Sequence, residues 1–243
     1  MINLLIIGSN GQLGSELKKK KYLNKFKKIT PSKKDLDLNN LKQIQNFFKK
    51  NKIDVIINCA AIADMNYCEK FPKIAIKNNI NGIFNLMSVL KKYKIYLIHI
   101  SSDAVYPSTK GNYSEKSSLE PYNVYGWTKL AAEYLSRMNT NTLVIRTRFF
   151  NCKKIQFKTA PNKIFSSSIK IEKLCVVIEK LINKKLIGII NVGEKKISNY
   201  SLYKKYSKIK LDNSLSFTKK LNFKYPVNAS LNCLKLKKII NEN

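Results

Sequence analysis

An α/β fold, built as a doubly wound parallel sheet with helices on both faces, is the class this sequence predicts, and two observations predict it. An apolar run at residues 2–7 passes directly into a glycine-bearing turn and then into a lysine-rich helical stretch. Beyond it, apolar strand-like runs at 28–30, 55–58, 96–101, 142–146 and 187–192 are separated by stretches of helical periodicity such as 41–51, 74–92 and 124–138. Strands that alternate with helices are joined by crossovers, which set the strands parallel and lay the helices on the two faces.

The first strand runs into Gly8-Ser9-Asn10-Gly11-Gln12-Leu13-Gly14. Glycines spaced three apart, after a strand and opening a helix, are the pattern of a Rossmann-type dinucleotide-binding turn. The first permits the tight turn, the second lets backbone approach a pyrophosphate, and the third lets the helix pack closely on the strand. The helix N-terminus then offers amide groups and a partial positive charge to the phosphates. The tail of the second strand separates NAD from NADP, because an acidic residue there binds a ribose 2′-hydroxyl and a basic one accommodates a 2′-phosphate. Here Ile29-Thr30 is followed by Pro31-Ser32-Lys33-Lys34 before Asp35 and Asp37, so NADPH is the expected cofactor, with NADH as the alternative.

The run at 96–101 continues through Ser101 and Ser102 to Asp103, placing hydroxyls and a carboxylate at a strand end, where open α/β sheets bind ligands. About twenty residues on, Tyr125 and Lys129 stand four apart and share one helix face. A phenol titrates near 10 and exchanges protons slowly at neutral pH. A neighbouring ammonium is expected to lower that value, as proton donation to a carbonyl during hydride transfer requires. Ser102 is placed to hydrogen-bond the carbonyl beside the tyrosine hydroxyl. Residues 151–168 are polar, lysine-rich and weakly patterned and precede a helix-like run at 171–182. We read residues 1–150 as the cofactor-binding domain with the catalytic residues. Residues 151–243 form a small C-terminal substrate-binding lobe intermixed with the last elements of the sheet.

Composition narrows the partners. Lys and Arg number 46 against 15 Asp and Glu, a formal charge of +31, which would ordinarily raise nucleic acid as a partner. The lysines are spread from end to end rather than gathered in one arm, so no specific nucleic-acid binding is expected, while anionic cofactors and nucleotide sugars are favoured. Five cysteines with no Cys-x-x-Cys pair fit neither a disulfide framework nor a zinc site and agree with a reducing compartment. No metal site, signal peptide or membrane span is expected, which predicts a cytoplasmic protein. The single histidine, His99, lies in a strand and is expected to be buried rather than paired with Cys68 as a nucleophile.

At this density of motifs the chain resembles the extended short-chain dehydrogenases/reductases, and within them the dTDP-4-dehydrorhamnose reductase group. The matching stretches are the glycine turn, Asp37-Leu38, Asn58-Cys59-Ala60-Ala61, Asn79-Ile80-Asn81-Gly82, Ser101-Ser102-Asp103, the run from Pro121 through Tyr125, Lys129 and Glu133, and Ile145-Arg146-Thr147. The resemblance is dense over residues 1–150 and patchy beyond. It implies reduction of the C4 keto group of a 4-keto-6-deoxy sugar nucleotide in deoxysugar and surface polysaccharide synthesis. Tyr125 would be the acid, with Lys129 and Ser102 assisting. The cofactor would be held by Gly8, Asn10, Gly11, Gln12, Leu13, Gly14, Asp37, Leu38, Ala61, Ile62, Ala63, Asn79, Tyr125 and Lys129. The sugar would meet Ser102, Asp103, Phe149 and Asn228.

The chain departs from the group's pattern at several points. Ala104 stands where an aromatic hydroxyl is usual, Phe149 replaces a Trp, and Tyr225 precedes Pro226 where an arginine is usual. The stretch around 151–168 is also short. Two rival functions follow: a nucleotide-sugar 4-epimerase or dehydratase, because Ser101 to Tyr106 also resembles those relatives, and a non-catalytic cofactor-binding regulatory subunit. A homodimer is the oligomer considered.

Overall fold

The structure, a computed structural model, describes residues 1–154, 160–206, 223 and 226–241. In chain order its elements are β1 (Ile2–Ile7), α1 (Gln12–Leu17), β2 (Phe26–Ile29), α2 (Leu41–Lys50), β3 (Val55–Asn58), α3 (Met65–Lys70), α4 (Pro72–Ile76), a π-helical turn (Lys77–Asn81), α5 (Gly82–Leu90), β4 (Tyr96–Ile100) and α6 (Val124–Ser136). The second half contributes β5 (Thr142–Thr147), β6 (Phe149–Phe150), β7 (Phe165–Ser166), β8 (Ile169–Lys170), α7 (Ile171–Asn183), β9 (Gly188–Val192), β10 (Ile197–Ser198), α8 (Asn199–Lys204), β11 (Asn228–Ala229) and α9 (Leu234–Asn241).

Among the described residues six strands form one parallel sheet in the order β2-β1-β3-β4-β5-β9. Side-chain alternation divides its core. Leu4, Ile6, Ile57, Ile98 and Ile145 pack with α1, α7 and α9, while Leu5, Ile7, Ile56 and Leu97 pack with α2, α5 and Ala132 of α6. Both faces are covered, as a parallel sheet requires. Because β2 and β3 flank β1 on opposite sides, the chain reverses direction across the sheet at β1/β3, and a crevice opens at the carboxyl ends of those strands. The Cys59 amide donates to the Ile7 carbonyl there at 3.0 Å.

The predicted strands and helices recur with shifts of one or two residues at most ends. The exception is the periodic stretch 74–92, which is three pieces. At the π turn the extra residue per turn brings Asn79 inward, where its side chain accepts from the Ile62 amide (2.8 Å) and donates to the Ile62 carbonyl and to Thr128 Oγ1 (both 3.0 Å).

Beyond residue 147, β10, β7 and β11 make a small three-stranded sheet, and β6 pairs with β8. This lobe is tied back to the 108–113 loop: the Tyr113 amide donates to the Ser230 carbonyl, and Asn228 Nδ2 donates to the Lys110 carbonyl at 2.8 Å. The 155–159 segment of the weakly patterned stretch, and Tyr225, lie outside the described residues. No helix among the described residues is long and apolar enough to cross a membrane.

Candidate active site and cofactor cleft

Two adjoining cavities follow the carboxyl edge of the sheet, and they share Gly11, Cys59 and Ala61. The smaller, about 290 Å³, lies over β1 and β2 and is lined by Gly8, Asn10, Lys33, Asp37, Leu38 and Ile62, among others. The larger, about 760 Å³, opens over β4 and β5 between Gln12, Ala63, Ser102, Tyr125, Lys129 and Phe149.

The glycine turn forms the junction. Gly8 adopts φ +76°, and the Gly11 amide donates back to its carbonyl at 3.0 Å. A Cβ on Gly14 would stand 2.3 Å from the Gly8 carbonyl oxygen, so a bare α-carbon is what lets α1 start against the turn. At the far end of the smaller cavity the chain leaves β2 through Pro31, Ser32 and Lys33, and Asp37 lines the same wall. Asp35 is occupied by Ser32, accepting from its amide at 3.0 Å and its hydroxyl at 2.6 Å. Asp37 accepts from the Asn39 amide at 2.9 Å, and Lys33 reaches Asn78 Oδ1 at 3.5 Å.

The larger cavity gathers the titratable side chains Asp103, Tyr125 and Lys129. Asn123 caps α6 by accepting from the Gly126 amide at 2.7 Å, which fixes the first turn that carries Tyr125. Gly126 makes the close approach possible, since a Cβ there would fall 2.3 Å from the Ala104 carbonyl oxygen. Ser102 donates to Asp103 Oδ1 (3.3 Å), accepts from the Ala104 amide (3.1 Å) and lines the cavity beside Tyr125. Lys129 Nζ donates to the Ile100 carbonyl at 2.7 Å.

The titration of this pair differs from the expectation that Lys129 lowers the phenol. Burial pushes Tyr125 up to about 12, and the relief comes from the Ser102 hydroxyl and the Arg148 charge. Burial also brings Lys129 down to about 8, against the opposing charge of Glu133. The reason is that both side chains are more than nine-tenths out of water, and desolvation penalises a phenolate and an ammonium alike. At neutral pH the phenol therefore holds its proton and the ammonium its charge.

Most of the residues singled out from sequence meet along this cleft. Two do not line it. Asn79 is spent on Ile62 and Thr128, as described above. Asn228 sits in β11 with Nδ2 donating to the Lys110 carbonyl (2.8 Å) and Oδ1 accepting from the Ser230 amide (3.2 Å), so both polar ends serve backbone. Conversely, the structure adds residues that the sequence does not single out. Arg148 lines the larger cavity, with Nε donating to Asp103 Oδ2 at 2.6 Å. Thr147 Oγ1 is buried in the same wall and has no hydrogen-bond partner among the described residues. Asn199 and Tyr203 arrive from α8 and Phe223 from the lobe. His99 is buried and kept neutral, its Nδ1 3.3 Å from Asn58 Nδ2. No group of three or more His, Cys, Asp or Glu side chains among the described residues could hold a metal.

Comparison with known proteins agrees with this geometry. The model of the RmlD substrate binding domain family matches residues 2–160. The chain is 31% identical over 152 residues to the spore coat polysaccharide biosynthesis protein SpsK of Bacillus subtilis, a match that covers 60% of this chain and 53% of SpsK. It is 29% identical over 150 residues to the dTDP-4-dehydrorhamnose reductase of Aggregatibacter actinomycetemcomitans, covering 60% of this chain and 51% of that protein. These matches thus span about half the length of the curated relatives. Among solved structures, a hypothetical dTDP-4-dehydrorhamnose reductase from Sulfolobus tokodaii superposes with a TM-score of 0.86 at 29% identity, over 99% of this chain and 95% of that one.

Proposed function

The chain belongs to the RmlD substrate binding domain family, and on that premise we propose that it is a reductase of a nucleotide-sugar ketone that uses NADPH. The substrate we favour is a 4-keto-6-deoxy sugar nucleotide. One observation carries the reading: the proton-holding phenol of Tyr125, the Ser102 hydroxyl beside it and the Lys129 ammonium line one cavity that continues into the glycine turn.

The cleft suits a dinucleotide in shape and in its donors. The two cavities meet at Gly11, whose missing side chain leaves backbone exposed, and the Thr147 hydroxyl and Lys129 ammonium lie at the far end. When bound there, NADPH supplies a hydride to the keto carbon. Tyr125 gives its phenolic proton to the carbonyl oxygen as negative charge develops on it, and is reprotonated from water afterwards. Ser102 steadies that oxygen, and the Lys129 charge offsets the phenolate left behind. Asp103, Arg148 and Phe149 would face the sugar, and α8 with the small lobe would close over it. Cofactor oxidation with a panel of 4-keto-6-deoxy sugar nucleotides tests the proposal. Tight NADPH binding with no turnover on any of them would favour a non-catalytic role instead.

NADPH is preferred because the end of β2 presents Ser32 and Lys33 to the smaller cavity while Asp35 is tied to Ser32. Lys33→Glu is expected to weaken NADPH binding by at least about tenfold and to change NADH binding much less, since only the former carries a 2′-phosphate. Fluorescence titration with both cofactors checks this; equal losses would place the 2′-phosphate elsewhere.

We include a homodimer in the same reading. Trp127 and Tyr134 on one stripe of α6, and Met138 just past its end, are each more than half exposed, and α5 beside it adds Phe84. An apolar stripe of this kind is a common association surface. Sedimentation velocity should show a dimer that Trp127→Glu with Tyr134→Glu converts to monomer, and a monomeric wild type would remove this part. The cytoplasm suits the five cysteines, all free thiols.

A further inference from the structure

Beneath the reaction cavity lies a buried charge cluster that the chemistry above does not use. Glu133 stands one turn beyond Lys129 on α6 and is 2% exposed. Strand alternation turns Arg146 of β5 toward it. Arg146 Nε donates to both carboxylate oxygens at 3.0 and 3.1 Å, and Nη2 donates to Oε2 at 2.7 Å. Arg146 Nη1 donates in turn to the Tyr106 hydroxyl at 2.9 Å. The Ser101 hydroxyl also donates to Glu133 Oε1. Successive turns of α6 thus grip successive residues at the end of β4: Lys129 holds the Ile100 carbonyl, Glu133 holds the Ser101 hydroxyl, and Ser102 comes next.

We propose that Glu133 is a positioning residue for the reaction: clamped by Arg146, its carboxylate fixes the strand end that presents Ser102 and supplies the negative charge that holds Lys129 as an ammonium in the dry floor of the cavity. The charge part follows from what surrounds the amine. From the end of β3 comes Cys59, whose thiol burial pushes up to about 12. From β4 comes His99, neutral through burial, and from α6 itself Tyr125, also protonated. From β5 comes the Arg146 cation. Glu133 supplies the formal negative charge in this set, and its effect opposes the desolvation that brings Lys129 down. Below its midpoint Lys129 is charged and above it neutral, so removing Glu133 moves the loss of charge to lower pH.

The role of Lys129 rests on the reading above, but its titration needs neither substrate nor cofactor. Lysine labelled with ¹³C at Cε is incorporated into the whole chain, and Lys129 is assigned by its absence in Lys129→Met. Its titration should centre near 8, apart from surface lysines near about 10.4. Glu133→Gln should lower that midpoint by at least about one unit, a tenfold loss of proton affinity, whereas Glu133→Asp should leave it nearly in place. Ser101→Ala, which keeps the charge, should lower kcat without moving the midpoint. An unmoved midpoint in Glu133→Gln overturns the proposal. If that variant does not fold, Ser101→Ala decides: a lowered kcat with an unmoved midpoint supports the clamp, and an unchanged kcat refutes it. Failure of the wild type to bind NADPH would sink the functional reading and leave this titration standing.

Discussion

Tyr125→Phe is expected to cut turnover by about three orders of magnitude and to leave NADPH affinity within about twofold of wild type, the range for loss of a positioned general acid. The substitution removes one oxygen from a ring that is 9% exposed and packed against Cys68, Ala75 and Ala104, so the fold has no reason to change. The proton store goes with that oxygen. Burial holds the phenol near 12, so the wild type enters each cycle protonated across the neutral range, and Ser102 cannot take over because an aliphatic hydroxyl is a much weaker acid than a phenol. Steady-state cofactor oxidation beside a fluorescence titration separates the two quantities. Retained turnover would mean that another group donates the proton.

Gly14→Ala should show the opposite signature, with loss of both cofactor binding and stability. The new methyl would meet the Gly8 carbonyl oxygen at 2.3 Å and Ser9 Cα at 2.7 Å, both backbone atoms that no rotamer change can move. Relief requires α1 to lift away from the turn, which spoils the amide array meant for the pyrophosphate. Overpacking of this kind costs about 3 kcal/mol, a fall of roughly 6–12 °C in the melting midpoint for a chain of this size. Thermal unfolding followed by circular dichroism, with NADPH titration of the folded variant, measures both. An unchanged midpoint with unchanged affinity would show that the turn has more room than these contacts allow.

Local pattern carried much of this protein. The spacing of Gly8, Gly11 and Gly14 after an apolar run, the four-residue interval from Tyr125 to Lys129, and the hydroxyls at the end of the 96–101 run are written over a few residues each. Backbone geometry alone converts them into a turn, a helix face and a strand end. The strands survive with shifted ends for the same reason, whereas 74–92 reads as one helix because periodicity cannot register the single extra residue of a π turn.

What only the tertiary structure decided depends on chain crossings. Asn79 and Asn228 were plausible ligand contacts until the folded backbone supplied carbonyls and amides that use up their side chains. Arg148 meets Asp103 across 45 positions, and Arg146 meets Glu133 because alternation along β5 turns it to the α6 face. The acid–base character of the Tyr125–Lys129 pair was reversed on the phenol side by the same cause. Proximity in sequence promised a lowered phenol, but desolvation is a property of enclosure, which arises only when strands, helices and lobe close around the pair and remove its water.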